Sequence, residues 1–170
     1  MVGNRLGVRP DVNLFNHHFK DLSGANIYLE RYRHQPLFIV NIATESRFLP
    51  QIKRMQQLHT QFNRHGLVVI AIPSNDFDEE PRDEAEIEAF LRENYPFSFI
   101  ITQRYSVTGP EAHSLFREML QEKGASILPR GSFNKYLFDR HGELAEHFPP
   151  ETLPDDPMLI RCVNQQLGSL

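Results

Sequence analysis

The sequence predicts an α/β domain with a mixed central sheet flanked by helices, and three observations carry that prediction. Two six-residue, largely apolar runs, Leu37–Ile42 and Leu67–Ile72, are the strands of a sheet covered on both faces. The segment between them has helical spacing, so a right-handed crossover joins two parallel strands. Near the C-terminus, Phe133–Phe138 and Glu143–His147 flank the turn Asp139-Arg140-His141-Gly142, an antiparallel hairpin.

Along the chain, Phe15–Phe19 and Ala25–Leu29 flank the turn Lys20-Asp21-Leu22-Ser23-Gly24, a second hairpin. After Leu37–Ile42, Pro50 opens a helix on which Ile52, Met55, Leu58, His59 and Phe62 share one face, and Gly66 ends it. The acidic segment Asp78–Asp83 reads as a solvated loop leading into a helix over Glu84–Glu93, with Ile87, Phe90 and Leu91 inward. Phe97–Ile101 forms a short extended piece. A helix over Ala112–Gln121 follows the turn Gly109-Pro110 and buries Leu115, Phe116, Met119 and Leu120. A last helix spans Asp156–Leu167, capped by Asp155 or Asp156.

The 170 residues suit one domain, with residues 1–13 a loosely ordered extension. The apolar fraction of 40% and charged fraction of 24% are those of an ordinary globular chain. A net charge of −4 gives no general attraction to nucleic acid or anionic membrane. No apolar run approaches the roughly 20 residues that cross a bilayer, and the first ten residues do not read as a secretory signal. The expectation is a soluble, cytoplasmic protein. Cys162 is the sole cysteine, which rules out an internal disulfide, and its place between Ile160 and Val163 marks a packed residue rather than a nucleophile. No Cys/His set has zinc spacing. His17 and His18 point to opposite sides of a strand and cannot share a metal.

The segment Asn41-Ile42-Ala43-Thr44-Glu45-Ser46-Arg47-Phe48-Leu49-Pro50-Gln51 resembles the active-site segment of glutathione peroxidases, N-(V/I)-A-(S/T)-x-C-G-x-T-P-Q. Gly66–Phe77 is similar to the second family signature, which ends F-P-C-N-Q-F. Val107-Thr108-Gly109-Pro110-Glu111-Ala112-His113-Ser114-Leu115-Phe116 resembles V-x-G-x-x-A-H-P-L-(F/Y). Phe133–Leu137 looks like the end of W-N-F-x-K-F-L, and Pro150, Thr152 and Pro154 match a later P-x-T-x-P. The resemblance covers roughly Phe15 to Leu167. It implies a thioredoxin-like sandwich and, for the family, reduction of hydrogen peroxide or lipid hydroperoxides with a thiol reductant, without a cofactor or metal.

The departures fall where that chemistry belongs. Carried over position by position, the reactive Cys or selenocysteine becomes Ser46, the Gln becomes Asp76, the Trp becomes Gly131 and the Asn becomes Ser132. The resolving Cys of many members falls on Arg92. A peroxidatic thiolate needs a low-pKa sulfur and donors for the departing oxygen. Ser46 has no sulfur to oxidise, and a carboxylate near a thiol raises its pKa. The resemblance therefore implies an inactive relative that serves as a binding or regulatory module. An active oxidative-stress peroxidase is the first rival, and a hydrolase using Ser46, Asp76 and a histidine is the second. In the emptied pocket, Ser46 is expected to donate a hydrogen bond to Asp76. Arg47, Arg54, Arg130 and Arg140 are candidates for a basic rim that takes an anion such as glutathione. The short segment Lys123–Arg130 favours a monomer or dimer, with no nucleic-acid or membrane partner.

Overall fold

The computed structural model describes residues 12–168. Its elements run β1 (His18–Lys20), β2 (Asn26–Tyr28), β3 (Leu37–Ile42), α1 (Gln51–Phe62), β4 (Val68–Pro73) and α2 (Glu84–Asn94). They continue with β5 (Ile100–Ile101), α3 (Ser114–Lys123), β6 (Lys135–Phe138), β7 (Leu144–Phe148) and α4 (Pro157–Leu167). Five strands form one sheet in the order β5-β4-β3-β6-β7, and β1 pairs with β2 in a separate hairpin. β3, β4 and β5 are parallel, while β6 is antiparallel to both β3 and β7. This is the mixed, helix-covered sheet of a thioredoxin-like fold.

Every residue of β3 and β4 is buried. Alternate side chains feed two cores. Phe38, Val40 and Ile42 meet Ile52, Met55 and Leu58 of α1 and Leu159 and Val163 of α4. Leu37 and Ile39 meet Phe19, Ile27, Leu115, Phe116 and Met119 on the other face. The period-2 alternation of strands thus explains why both faces are apolar. Pro50 stands at the N-cap of α1, and Gly66 at φ +110° follows its short terminal 3-10 turn (Asn63–His65). Asp83 caps α2 by accepting from the Glu86 N–H while Glu86 accepts from the Asp83 N–H, a reciprocal capping box. Gly142 is required in the β6–β7 turn: at φ +85°, a Cβ there would lie 2.9 Å from Phe15 Cδ2.

The first hairpin is shorter than the sequence implies, because Leu14–Asn16 turns as a 3-10 helix before β1. Only Ile100–Ile101 of Phe97–Ile101 pairs. α3 starts at Ser114, not Ala112, and Leu120 is 44% exposed, facing away from the core. Of the extension expected to be loose, residues 1–11 lie outside the described residues, whereas Val12 is fully buried and Asn13 caps the 3-10 turn. Among the described residues no helix is long and apolar enough to cross a membrane.

Candidate functional site

The site is built where β3 ends. Beyond Ile42 the chain turns through Ala43, Thr44 and Glu45 to Ser46, five residues before α1 begins. Ser46 is 6% exposed, and its Oγ accepts a hydrogen bond from the Phe48 N–H at 3.0 Å. This local turn replaces a direct seat on the helix terminus.

The loop before β6 is braced by Asn41. Its Nδ2 donates to Gly131 O at 2.9 Å, its Oδ1 accepts from Asn134 N at 2.9 Å and its carbonyl accepts from Phe133 N at 2.5 Å. Those bonds hold Phe133 at φ +69°, a conformation that costs a non-glycine residue about 1–2 kcal/mol. The result places Ser132 Oγ 2.7 Å from Ser46 Oγ.

A third loop, between β4 and α2, closes the site. Glu80, fully buried, accepts from the Thr44 N–H at 2.9 Å and from Thr44 Oγ1 at 2.6 Å. Arg82 donates to Thr44 Oγ1 and to Glu45 Oε2, at 2.9 and 2.7 Å, and its guanidinium lies 4.0 Å over the Phe90 ring. The Glu45 N–H donates to Glu79 O at 2.9 Å. With its backbone fixed in this way, Glu79 sets Oε1 2.9 Å from Ser132 Oγ. The expectation of a solvated Asp78–Asp83 loop holds at Asp78, Pro81 and Asp83, which are exposed, and is corrected at Glu80: a carboxylate that bonds buried donors must itself be buried.

Proton placement follows from the inventory of donors. Ser132 has one hydroxyl proton, and the Glu79 carboxylate is the stronger acceptor. Ser46 therefore donates to Ser132 and accepts from Phe48, which engages its hydroxyl proton and one of its two lone pairs. The arrangement is a hydroxyl–hydroxyl–carboxylate chain with no sulfur in it.

The expected Ser46–Asp76 bond is not made. Asp76 Oδ2 instead accepts from Val107 N at 2.7 Å, Thr108 N at 2.9 Å and Thr108 Oγ1 at 3.2 Å, fastening its loop to the turn before α3. Two backbone amides outcompete a hydroxyl for one carboxylate oxygen. Sequence reasoning missed Glu79 and Glu80; the signal available was two adjacent carboxylates directly before Pro81, close to the second signature. Gly131, to which the resemblance assigns the family's Trp, offers the site its carbonyl, bonded to Asn41 and Asn134.

Arg92 is exposed on α2, 3.0 Å from Glu88, with its guanidinium 4.5 Å over Phe97. The basic rim is smaller than expected. Arg54 pairs with Asp155, and Arg140 donates to Gln166 O and Leu167 O at the far end of the sheet. Arg47, stacked on Phe48, and Arg130 remain exposed beside Ser46 and Gly131 without an ion pair among the described residues. Cys162 is partly buried on α4 against the first core, and burial raises its thiol pKa, with Glu146 adding to the effect. His113 is structural: its Nδ1 accepts from the Leu115 N–H, its Nε2 donates to His18 O, and burial pushes its pKa down to about 4.

A model of the glutathione peroxidase family matches residues 14–120. The glutathione peroxidase homolog BsaA of Halalkalibacterium halodurans is 35% identical over 136 residues, which cover 78% of this chain and 87% of the relative. The probable glutathione peroxidase 8 of Mus musculus is 32% identical across 85% of this chain and 69% of its own. The crystal structure of Trgpx in apo form superposes with a TM-score of 0.73 at 19% identity, covering 91% of this chain and 95% of that one. That of T. cruzi GPX1 gives 0.70 at 22% identity, covering 92% and 97%. At such identities the structures speak for the fold, while the family match and the sequence relatives speak for descent: this chain belongs to the glutathione peroxidase family.

Proposed function

We propose that this chain is a non-catalytic glutathione peroxidase relative, a cytoplasmic binding or regulatory module without thiol peroxidase activity. The observation that carries the reading is the Ser46–Ser132–Glu79 chain: oxygen replaces sulfur, and a carboxylate stands behind the neighbouring hydroxyl. Peroxide reduction requires a thiolate that becomes a sulfenic acid, and no hydroxyl performs that step. Cys162 does not substitute, because its thiol pKa is raised and it lies on a different element. The exposed Arg47 and Arg130 favour a small anionic ligand at the mouth, with glutathione carboxylates as one candidate.

The rival reading is the peroxidase activity that the relatives' names carry. Turnover of hydrogen peroxide and of a lipid hydroperoxide, with glutathione or thioredoxin as reductant, separates the two. The expected rate equals that of buffer, for the natural chain and for Cys162→Ser alike. Turnover that persists in Cys162→Ser and disappears in Ser46→Ala overturns the proposal. In the same preparation, glutathione at millimolar concentration should release measurable heat on titration, and Arg47→Ala with Arg130→Ala should abolish it.

A further inference from the structure

We infer that Ser114, His17 and Glu118 form a second site, in which an activated serine hydroxyl acylates itself from small carboxylic esters. His17 immediately precedes β1, while Ser114 and Glu118 lie on successive turns of α3 at i, i+4, one above the other on the same face. His17 Nδ1 is 2.8 Å from Ser114 Oγ, and His17 Nε2 is 2.5 Å from Glu118 Oε1. An ionised carboxylate only accepts, so the Glu118 contact fixes the proton on Nε2 and leaves the Nδ1 lone pair facing the serine. Ser114 then donates to that lone pair. This is the nucleophile, base and orienting carboxylate arrangement, with the two ring nitrogens exchanged relative to the serine protease example.

The groups are held and accessible in the right places. Glu118 Oε2 accepts from the Asn13 N–H at 3.3 Å, which steadies the carboxylate. The His17 side chain is 9% exposed, so the base is shielded, while Ser114 is exposed and open to a reactant. The Leu115 N–H is taken by His113 Nδ1, and those of Phe116 and Arg117 by His113 O. The Ser114 N–H, at the positive end of the ten-residue helix, makes no hydrogen bond among the described residues and can donate to a developing oxyanion. The family pattern has a proline at this position, so neither hydroxyl nor N–H is inherited with the fold.

The chemistry balances without any co-reactant except water. Ser114 Oγ attacks the ester carbonyl carbon as its proton moves to His17 Nδ1. The carbon–oxygen bond to the alcohol breaks, and that alcohol leaves with the proton from Nδ1. Water then attacks the acyl carbon as one of its protons passes to Nδ1, the bond from that carbon to Ser114 Oγ breaks, and Nδ1 returns the proton to Oγ, which regenerates Ser114 and releases the carboxylic acid. On an exposed helix end, reactivity rather than shape selects the reactant, so aryl esters of short acids are the fitting class.

Two probes on the full chain test this site independently of peroxide turnover. A fluorophosphonate should label one residue, mapped by peptide mass to Ser114, and 4-nitrophenyl acetate should be hydrolysed with a burst. Ser114→Ala and His17→Gln should each reduce hydrolysis about 100-fold, the usual worth of a positioned base, with melting temperature followed as the folding control. Glu118 acts through His17 as a positioning residue: Glu118→Gln keeps an acceptor for Nε2–H but removes the charge. Its kcat should fall about 10-fold with KM unchanged, which a purely structural tie would not produce. Label on Ser46 or Ser132, hydrolysis surviving Ser114→Ala, or no label above that of the urea-unfolded chain overturns the inference.

Discussion

Ser46→Cys alone is expected to leave peroxide turnover close to background, and Glu79→Gln added to it to speed the reaction with hydrogen peroxide at least 10-fold. The cysteine would sit beside Ser132, whose hydroxyl is committed to the Glu79 carboxylate. A negative charge one hydroxyl away opposes ionisation, so the new thiol should titrate above the free value of about 8.5. Replacing Glu79 by glutamine removes that charge and supplies an amide donor. One unit of pKa is worth about 1.4 kcal/mol and a tenfold change in thiolate at neutral pH. Gly131→Trp should add further rate by providing an indole donor. A Cβ there meets no heavy atom within 4 Å, although φ +158° makes the substitution somewhat strained. Titration of thiolate absorbance and stopped-flow peroxide kinetics read both quantities.

The control is Ser46→Cys with Asp76→Gln. That change weakens the Val107 and Thr108 bonds without touching the site, so stability should fall by about 1–2 kcal/mol with no gain in rate. Equal rates for the Glu79 and Asp76 double variants, or full peroxidase rates from Ser46→Cys alone, would show that the supporting groups matter less than their geometry suggests.

That contrast also marks the boundary of what the sequence discloses. β3, β4, the crossover helix and the C-terminal hairpin are readable because buried strands and amphipathic helices leave periodic apolar patterns. Ser46 and Ser132 are readable as positions because they lie inside or beside conspicuous motifs. Their mutual contact is not, since it joins residues 86 apart in sequence through two loops. Glu79 and Asp76 are three residues apart in one acidic loop, and composition cannot say which one turns inward. Backbone hydrogen bonds decide: the Val107 and Thr108 amides claim Asp76, while buried Glu80 seats Glu79 near Ser132. Exposure misled in the same way at Glu80 alone within Asp78–Asp83, because a charged run reads as solvated unless its partners are known.

Lys135→Met is expected to destabilise the chain by about 2 kcal/mol at pH 7, because it leaves buried carbonyl acceptors without their donor. Lys135 is fully buried in β6, and its Nζ donates to Phe133 O at 2.8 Å, Pro150 O at 3.0 Å and Pro149 O at 3.4 Å. Pro150 O also accepts from Gln51 Nε2 at 2.8 Å, so one ammonium ties the site loop to the turn before α4 and to the start of α1. Methionine keeps most of the stem volume and none of the donors. The pH dependence has a definite sign. Burial pushes Lys135 down to about 7, opposed by Glu151, while an unfolded lysine holds its proton to about 10.4. Between those values the unfolded chain binds the extra proton, so the stability of the natural protein rises with pH across that window. Lys135→Met lacks that rise, and the gap between the two proteins in urea unfolding should widen from pH 7 to pH 9. A constant gap would mean that the three carbonyls keep the ammonium charged against burial. Either way, Phe133 at φ +69° depends on this clamp and on Asn41, so its amide should lose exchange protection in Lys135→Met well before the sheet does.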